Sequence, residues 1–132
     1  MIILLGMLLF SASIFSQQSE TFAAKSFTGP QIKWDKDVHN FGSIEQNKEV
    51  KATFSFTNTG DKPVYITNVK PSCGCTGVDY TKKPVAPGTT SKITATYNAK
   101  AIGNFHKSVR VYSSINENAK LLYIKGTVKA IQ

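Results

Sequence analysis

Apolar and polar residues alternate along much of the chain after residue 30. The segment Val50–Thr57 is the clearest case, because Val, Ala, Phe and Phe alternate there with Lys, Thr, Ser and Thr. Successive side chains of a β-strand point to opposite faces, so this pattern predicts a strand buried on one face and solvated on the other. Segments Ile93–Tyr97 and Phe105–Val111 follow the same rule, although Lys107 interrupts the apolar row of the latter.

Turn-forming residues separate these segments. Asn58–Pro63 and Ala86–Thr89 are rich in Asn, Gly, Asp, Thr and Pro, and no window of about 11 or more residues after residue 30 has a helical period. The chain is therefore predicted to be all-β, an immunoglobulin-like antiparallel β-sandwich of about seven strands, with a closed barrel as the alternative. The predicted strands are Ile32–Phe41, Val50–Thr57, Val64–Val69, Thr76–Tyr80, Ile93–Tyr97, Phe105–Val111 and Leu122–Val128.

The inward-facing apolar residues of these strands form the predicted core. Neither Val50–Thr57 nor Phe105–Tyr112 contains a cysteine, so the inter-sheet disulfide of many immunoglobulin domains is not expected. Apolar burial alone is then expected to hold the two sheets together. The predicted core residues are Trp34, Phe41, Val50, Phe54, Phe56, Ile66, Ile93, Tyr97, Val109, Val111 and Ile124.

The first residues have the pattern of a secretory signal. Residues 1–16 carry no charge, the run Ile2–Phe10 is almost entirely apolar, and small residues follow it. This predicts a signal peptide over 1–16, although the basic residues that usually begin one are missing. A membrane-spanning helix would need about 20 apolar residues, so no transmembrane span is expected. Residues 17–30 are predicted to be a flexible tether and 31–132 the folded domain, exported to the periplasm, cell envelope or medium.

The 132 residues carry a formal charge of +8, and all the basic residues except Arg110 are lysines. Nucleic-acid and phosphate sites favour the planar fork of Arg, so no nucleic-acid partner is expected. The lysines are scattered along the sequence, apart from the pair Lys82–Lys83. The charge is consistent with a solvated lysine-rich surface, or with weak attraction to acidic glycans or a membrane surface.

The segment Pro71–Thr76 contains the only two cysteines, Cys73 and Cys75. An exported protein meets an oxidising environment, which favours a local disulfide or a packing role. Such a bond closes about three residues, and chain entropy then contributes about 1.6 kcal/mol before strain. A small-ring disulfide also suits thiol exchange, so Cys73 and Cys75 are candidate binding or redox residues.

Metal binding is the third alternative for the cysteine pair. Two thiolates suit a soft ion such as Cu(I), although they are only half of a tetrahedral zinc set. His39 is late in the first predicted strand and His106 opens the sixth, which places both histidines at the same end of the sandwich as Cys73 and Cys75. The four residues are therefore the candidate metal ligands, provided that the histidines lie within about 10 Å of the sulfurs. Otherwise no cofactor is expected.

Several motifs resemble the bacterial secreted domain of unknown function 1573. The resemblance covers roughly Trp34 to Val128, and Ser-Cys-Gly-Cys-Thr is its most specific part. It implies an immunoglobulin-like sandwich related to the Hydin and sperm-protein types, an envelope or exported location, and Cys73 and Cys75 as the motif positions. It implies no known activity or ligand. The other matching segments are Val38–Ile44, Phe54–Gly60, Val85–Gly88, Gly103–Lys107 and Ile124–Gly126.

The sequence thus favours a non-catalytic module over an enzyme. It contains no G-x-S-x-G, H-E-x-x-H or glycine-rich phosphate motif. We expect an exported immunoglobulin-like domain that binds a protein or glycan of the cell envelope or serves in envelope structure. The alternative is a thiol-redox or Cu(I)-binding protein acting through Cys73 and Cys75.

Overall fold

The computed structural model describes residues 31–131, and these form eight β-strands and no helix. The predicted signal (1–16) and tether (17–30) lie outside the described residues. Within 31–131, no helix is long and apolar enough to cross a membrane. The strands are β1 Ile32–Trp34, β2 Val38–Glu45, β3 Val50–Asn58, β4 Ile66–Pro71, β5 Thr76–Tyr80, β6 Thr90–Tyr97, β7 Gly103–Ser113 and β8 Asn116–Lys129.

The strands form two four-stranded sheets. Sheet I has the order β1-β3-β6-β5, and sheet II has the order β2-β8-β7-β4. The inward faces of both sheets supply the residues of one apolar core. The predicted all-β, immunoglobulin-like β-sandwich is therefore confirmed. Both cysteines lie in one loop, so the sandwich has no inter-sheet disulfide.

The beginning of the domain differs from its predicted form. The segment that the sequence predicts as one strand, Ile32–Phe41, is two strands, β1 in sheet I and β2 in sheet II. The chain leaves sheet I at Asp35, whose carboxylate accepts a hydrogen bond from the Ser55 backbone N–H at 3.0 Å. It joins sheet II at Asp37, whose carbonyl accepts one from the Tyr123 N–H at 2.8 Å. As a result β2 runs parallel to β8, whereas all other neighbouring pairs are antiparallel.

The core lies between the sheets. Eight of the predicted core residues are buried there, and Trp34, Phe41 and Val50 are half-buried and pack against them. The core also contains Val64 and Val85, which pair with each other outside the named strands. The eight buried predicted residues are Phe54, Phe56, Ile66, Ile93, Tyr97, Val109, Val111 and Ile124.

Two glycines let β2 and β8 approach each other in sheet II. Gly42 lies in a bulge of β2 and has a φ of +68°, which side-chain-bearing residues rarely adopt. A Cβ atom at Gly126 of β8 would lie 2.8 Å from the Gly42 carbonyl oxygen and 2.9 Å from the Phe105 ring. The Phe105 ring therefore occupies the space that a side chain at position 126 would need.

Candidate functional site

The cysteine pair lies in the loop that crosses from sheet II to sheet I. Cys73 and Cys75 form a disulfide bond within this loop, between β4 and β5. The Ser72 N–H donates a hydrogen bond to the Ser108 carbonyl of β7 at 2.9 Å, and the Asn98 N–H donates one to the Cys75 carbonyl at 3.0 Å. Backbone contacts to both sheets therefore hold the two ends of the loop.

The sulfur atoms lie at the margin of the core. Both cysteines are half-buried, and Cys75 packs against the core cluster. Thr76 is buried beside them, with its hydroxyl oxygen 3.9 Å from Cys73 Sγ and 4.0 Å from Cys75 Sγ. In this oxidised form neither sulfur is a thiolate, so the pair has no metal-binding or nucleophilic group until it is reduced.

His39 lies on the inward face of sheet II. It is in register with Ile124, a fully buried residue, and its ring packs edge-on against Phe41 with centroids 4.5 Å apart. The Lys36 ammonium lies 2.9 Å from His39 Nδ1. Desolvation, and secondarily the positive charge of Lys36, hold the pKa of His39 below its ordinary value.

His106 lies on the opposite, outward face of the same sheet. It is in register with the exposed Lys125, and its ring stacks on Tyr123 with centroids 5.0 Å apart. The structure therefore does not bring the four candidate ligands together. Among the residues described, no group of three or more His, Cys, Asp or Glu side chains could hold a metal ion. The positions of the predicted strand ends place both histidines at the same end of the sandwich. Side chains alternate between the two faces of a strand, however, and this puts the two histidines on opposite faces of sheet II.

The outward face of sheet II gathers basic side chains that are far apart in sequence. Lys70 of β4 is directly opposite Arg110 of β7, and His106 of β7 is directly opposite Lys125 of β8. All four side chains are exposed. Between these two pairs lies Tyr123. We call this surface, defined by Lys70, Arg110, His106, Lys125 and Tyr123, the basic face.

Two shallow depressions accompany the two pairs. One, of about 330 Å³, is lined by Lys70 and Arg110 together with Pro71, Ser72 and Ser108. The other, of about 410 Å³, includes His106 and Lys125. Its remaining lining is mostly amide and hydroxyl groups, from Asn40, Ser43, Asn104 and Thr127, with the backbone of the glycines beside them.

The basic face is not evident from the sequence because its cations are isolated from one another along the chain. Each cation nevertheless follows an inward-facing residue, as Lys70 follows Val69, Arg110 follows Val109 and Lys125 follows Ile124. That phase predicts an outward position for each of them. Their adjacency depends on the pairing of β4 with β7 and of β7 with β8, which alternation alone does not reveal.

Solved structures share the fold of this chain at low sequence identity. A protein of unknown function from Porphyromonas gingivalis W83 matches with a TM-score of 0.65 and 11% identity, over 81% of this chain and 51% of that one. The ASH/PapD-like domain of human CEP192 matches with a TM-score of 0.62 and 10% identity, over 76% and 87%. The secreted serine protease VesC from Vibrio cholerae matches with a TM-score of 0.58 and 13% identity, over 74% and 23%.

These similarities establish the fold and nothing further. The chain spans about half of the Porphyromonas protein and about a quarter of the protease. No curated protein matches its sequence. The family model of a protein of unknown function, DUF1573, matches residues 32–128, which is most of the chain. The chain therefore belongs to the DUF1573 family.

Proposed function

We propose that this chain is an exported, non-catalytic binding module that contacts a component of the cell envelope through the basic face. The observation that carries the proposal is the pairing of Lys70 with Arg110 and of His106 with Lys125 on one exposed sheet face. The signal-like pattern of residues 1–16 supports export. An open surface of cations, hydroxyls and amides suits recognition of a partner through ion pairs and hydrogen bonds.

Site-specific photo-crosslinking in the producing cell tests this proposal. A photoreactive amino acid replaces Leu121, which is in register with Arg110 and is 39% exposed. The matched control carries it at Thr53, an exposed position at the centre of the outward face of sheet I. Adducts with envelope material from position 121 and not from position 53 are expected. Adducts from neither position, or equally from both, contradict the proposal.

A second candidate function, thiol–disulfide exchange, is supported by the half-exposed Cys73–Cys75 bond. In this reaction a partner dithiol would be oxidised to a disulfide, while the two sulfurs would take up two electrons and two protons to become thiols. Incubation of the purified full chain with a reduced dithiol peptide, followed by thiol counting, tests it. Two free thiols per chain and an equal amount of oxidised peptide are expected. A chain that keeps its disulfide contradicts this candidate.

A further inference from the structure

We infer that the ligand of the basic face is an acidic polysaccharide, a glycan chain that carries carboxylate groups at intervals. The inference rests on the proposed binding function and names the chemical class of its ligand.

The first support is an unbalanced charge. Lys70 and Arg110 are cross-strand neighbours, an arrangement that like charges make unfavourable. The described carboxylates of sheet II do not neutralise these cations. Glu45 lies at the last position of β2, in register with Lys129 and 3.9 Å from Lys48 Nζ. Asp37, just before β2, is paired with Lys120 at 2.7 Å. An anionic ligand would therefore supply the counter-charge that the neighbouring side chains do not.

The second support is the separation of the Lys70–Arg110 pair from the His106–Lys125 pair. Arg110 and His106 lie on the same strand four residues apart, and a strand rises about 3.3 Å per residue, so the pairs are about 13 Å apart. One carboxylate cannot span that distance. A chain with repeated charges can place one anionic group in each of the two depressions.

The third support is the neutral lining of the surface. Asn40, Ser43 and Asn104 line the depression at Lys125 and offer donors and acceptors that match sugar hydroxyls. Among the large apolar residues described as exposed, Val38 and Leu121 lie on the strands of this face and are 42% and 39% exposed. Both are strand residues in register with a polar or charged neighbour, Tyr123 and Arg110, whereas binding in a membrane interface requires a broad apolar face. Carbohydrate is thus favoured over a lipid surface.

Binding of the full chain to polygalacturonate, measured by calorimetry at low salt, tests the inference. The variant Arg110→Glu/Lys125→Glu reverses one cation of each pair, and Lys51→Glu/Lys92→Glu reverses two cations on sheet I. The two variants have the same net charge. We expect the first to lower the affinity by about tenfold or more and the second by about twofold or less, because the local field decides the contact. Neutral dextran is not expected to bind.

Each other outcome overturns the inference in a distinct way. Equal losses in the two variants would indicate attraction to net charge without a defined face. Preferential binding to phosphatidylglycerol vesicles or duplex DNA would assign the face to a different class of partner. If polygalacturonate does not bind but position 121 still gives envelope adducts, the inference fails and the proposed binding function stands. If both experiments fail, both proposals are overturned.

Discussion

The two outward faces of the sandwich differ, although the two inward faces share one apolar core. On sheet I the lysines stand among hydroxyls, and Lys92 lines the same shallow depression as the carboxylate of Asp79. On sheet II cations are direct neighbours, and the carboxylates of Glu45 and Asp37 are engaged elsewhere. Outward positions contribute little to the core, so folding leaves their chemistry free to vary. The difference between the faces therefore points to binding rather than to stability. The hydroxyls of sheet I belong to Thr53, Ser55, Thr57, Thr90, Thr94 and Thr96.

The largest effect is expected at Asn58, at the end of sheet I. Its fully buried amide donates to the carbonyls of Lys62 at 2.7 Å and Val85 at 2.8 Å, and its Oδ1 accepts from the Gly60 N–H. Asn58→Ala removes these bonds and should lower the free energy of unfolding by about 3 kcal/mol in urea titration. The exposed Asn68→Ala is the control. The folded Asn58→Ala variant should bind polygalacturonate as tightly as the parent. An equal loss of stability in Asn58→Ala and Asn68→Ala would contradict the stabilising role of the buried Asn58 amide.

A smaller loss of stability is expected at Gly126, in sheet II. Gly126→Ala presses a methyl group on the Gly42 carbonyl and the Phe105 ring, and should cost about 2 kcal/mol in the same titration. Unlike Asn58→Ala, it should also weaken polygalacturonate binding, because Gly126 borders the depression at Lys125. Gly74→Ala is the control, since nothing lies within 4 Å of its added Cβ. A wild-type unfolding midpoint for Gly126→Ala would show that sheet II is not packed as described.

The disulfide within the loop that joins β4 to β5 is expected to matter less. The variant Cys73→Ser/Cys75→Ser releases a loop of about three residues, so the free energy of unfolding should fall by no more than about 1.6 kcal/mol. Backbone hydrogen bonds from Ser72 and Asn98 hold the loop independently of the sulfurs. Thermal unfolding of the variant beside the oxidised parent measures this difference. A variant that fails to fold would mean that the bond organises the crossing between the sheets.

Reversal of a single cation should separate stability from binding. Lys70→Glu places opposite charges across β4 and β7, so it should raise the free energy of unfolding by about 0.5 kcal/mol while weakening polygalacturonate binding. Lys92→Glu on sheet I, beside Asp79, should not stabilise the fold and should leave binding almost unchanged. Chemical denaturation and calorimetry on both variants provide the comparison. A destabilised Lys70→Glu would argue against repulsion between Lys70 and Arg110.

The smallest effect concerns His39 on the inward face of sheet II. Its pKa in the folded state lies below the ordinary value of 6.5 because of desolvation and Lys36, so the unfolded state binds more protons in that range. The contribution of His39 to stability is therefore favourable above pH 6.5 and decreases as the pH falls below it. Unfolding of the parent and of His39→Gln between pH 5 and 8 should show a shallower pH dependence in the variant. Identical pH profiles would contradict this role.

Local alternation was sufficient to predict the strands and most of the core. It did not reveal the break at Asp35–Asp37, because that break depends on hydrogen bonds to Ser55 and Tyr123, which are distant in sequence. The cations of the basic face are brought together by the pairing of β4 with β7 and of β7 with β8. The pairing of β4 with β7 joins segments that are distant in sequence, so local alternation does not reveal it.

The placement of the histidines could have been refined from the sequence. His39 has the same phase as Phe41, whereas His106 immediately follows Phe105, which indicates opposite faces. The cysteine loop was located correctly from the motif. A local disulfide was among the alternatives favoured from the sequence, and the structure contains it, whereas the contacts of the loop with both sheets required the folded structure.

Mapping the bound surface by NMR tests the central claim most directly. Polygalacturonate is added to the isotope-labelled full chain, and backbone amide shifts are followed. We expect the largest shifts at Ser108, Arg110, Tyr123 and Lys125, with little change at Thr53 and Thr94. Shifts centred on Thr53 and Thr94, or no shifts at any amide, would contradict the assignment of the basic face as the binding surface.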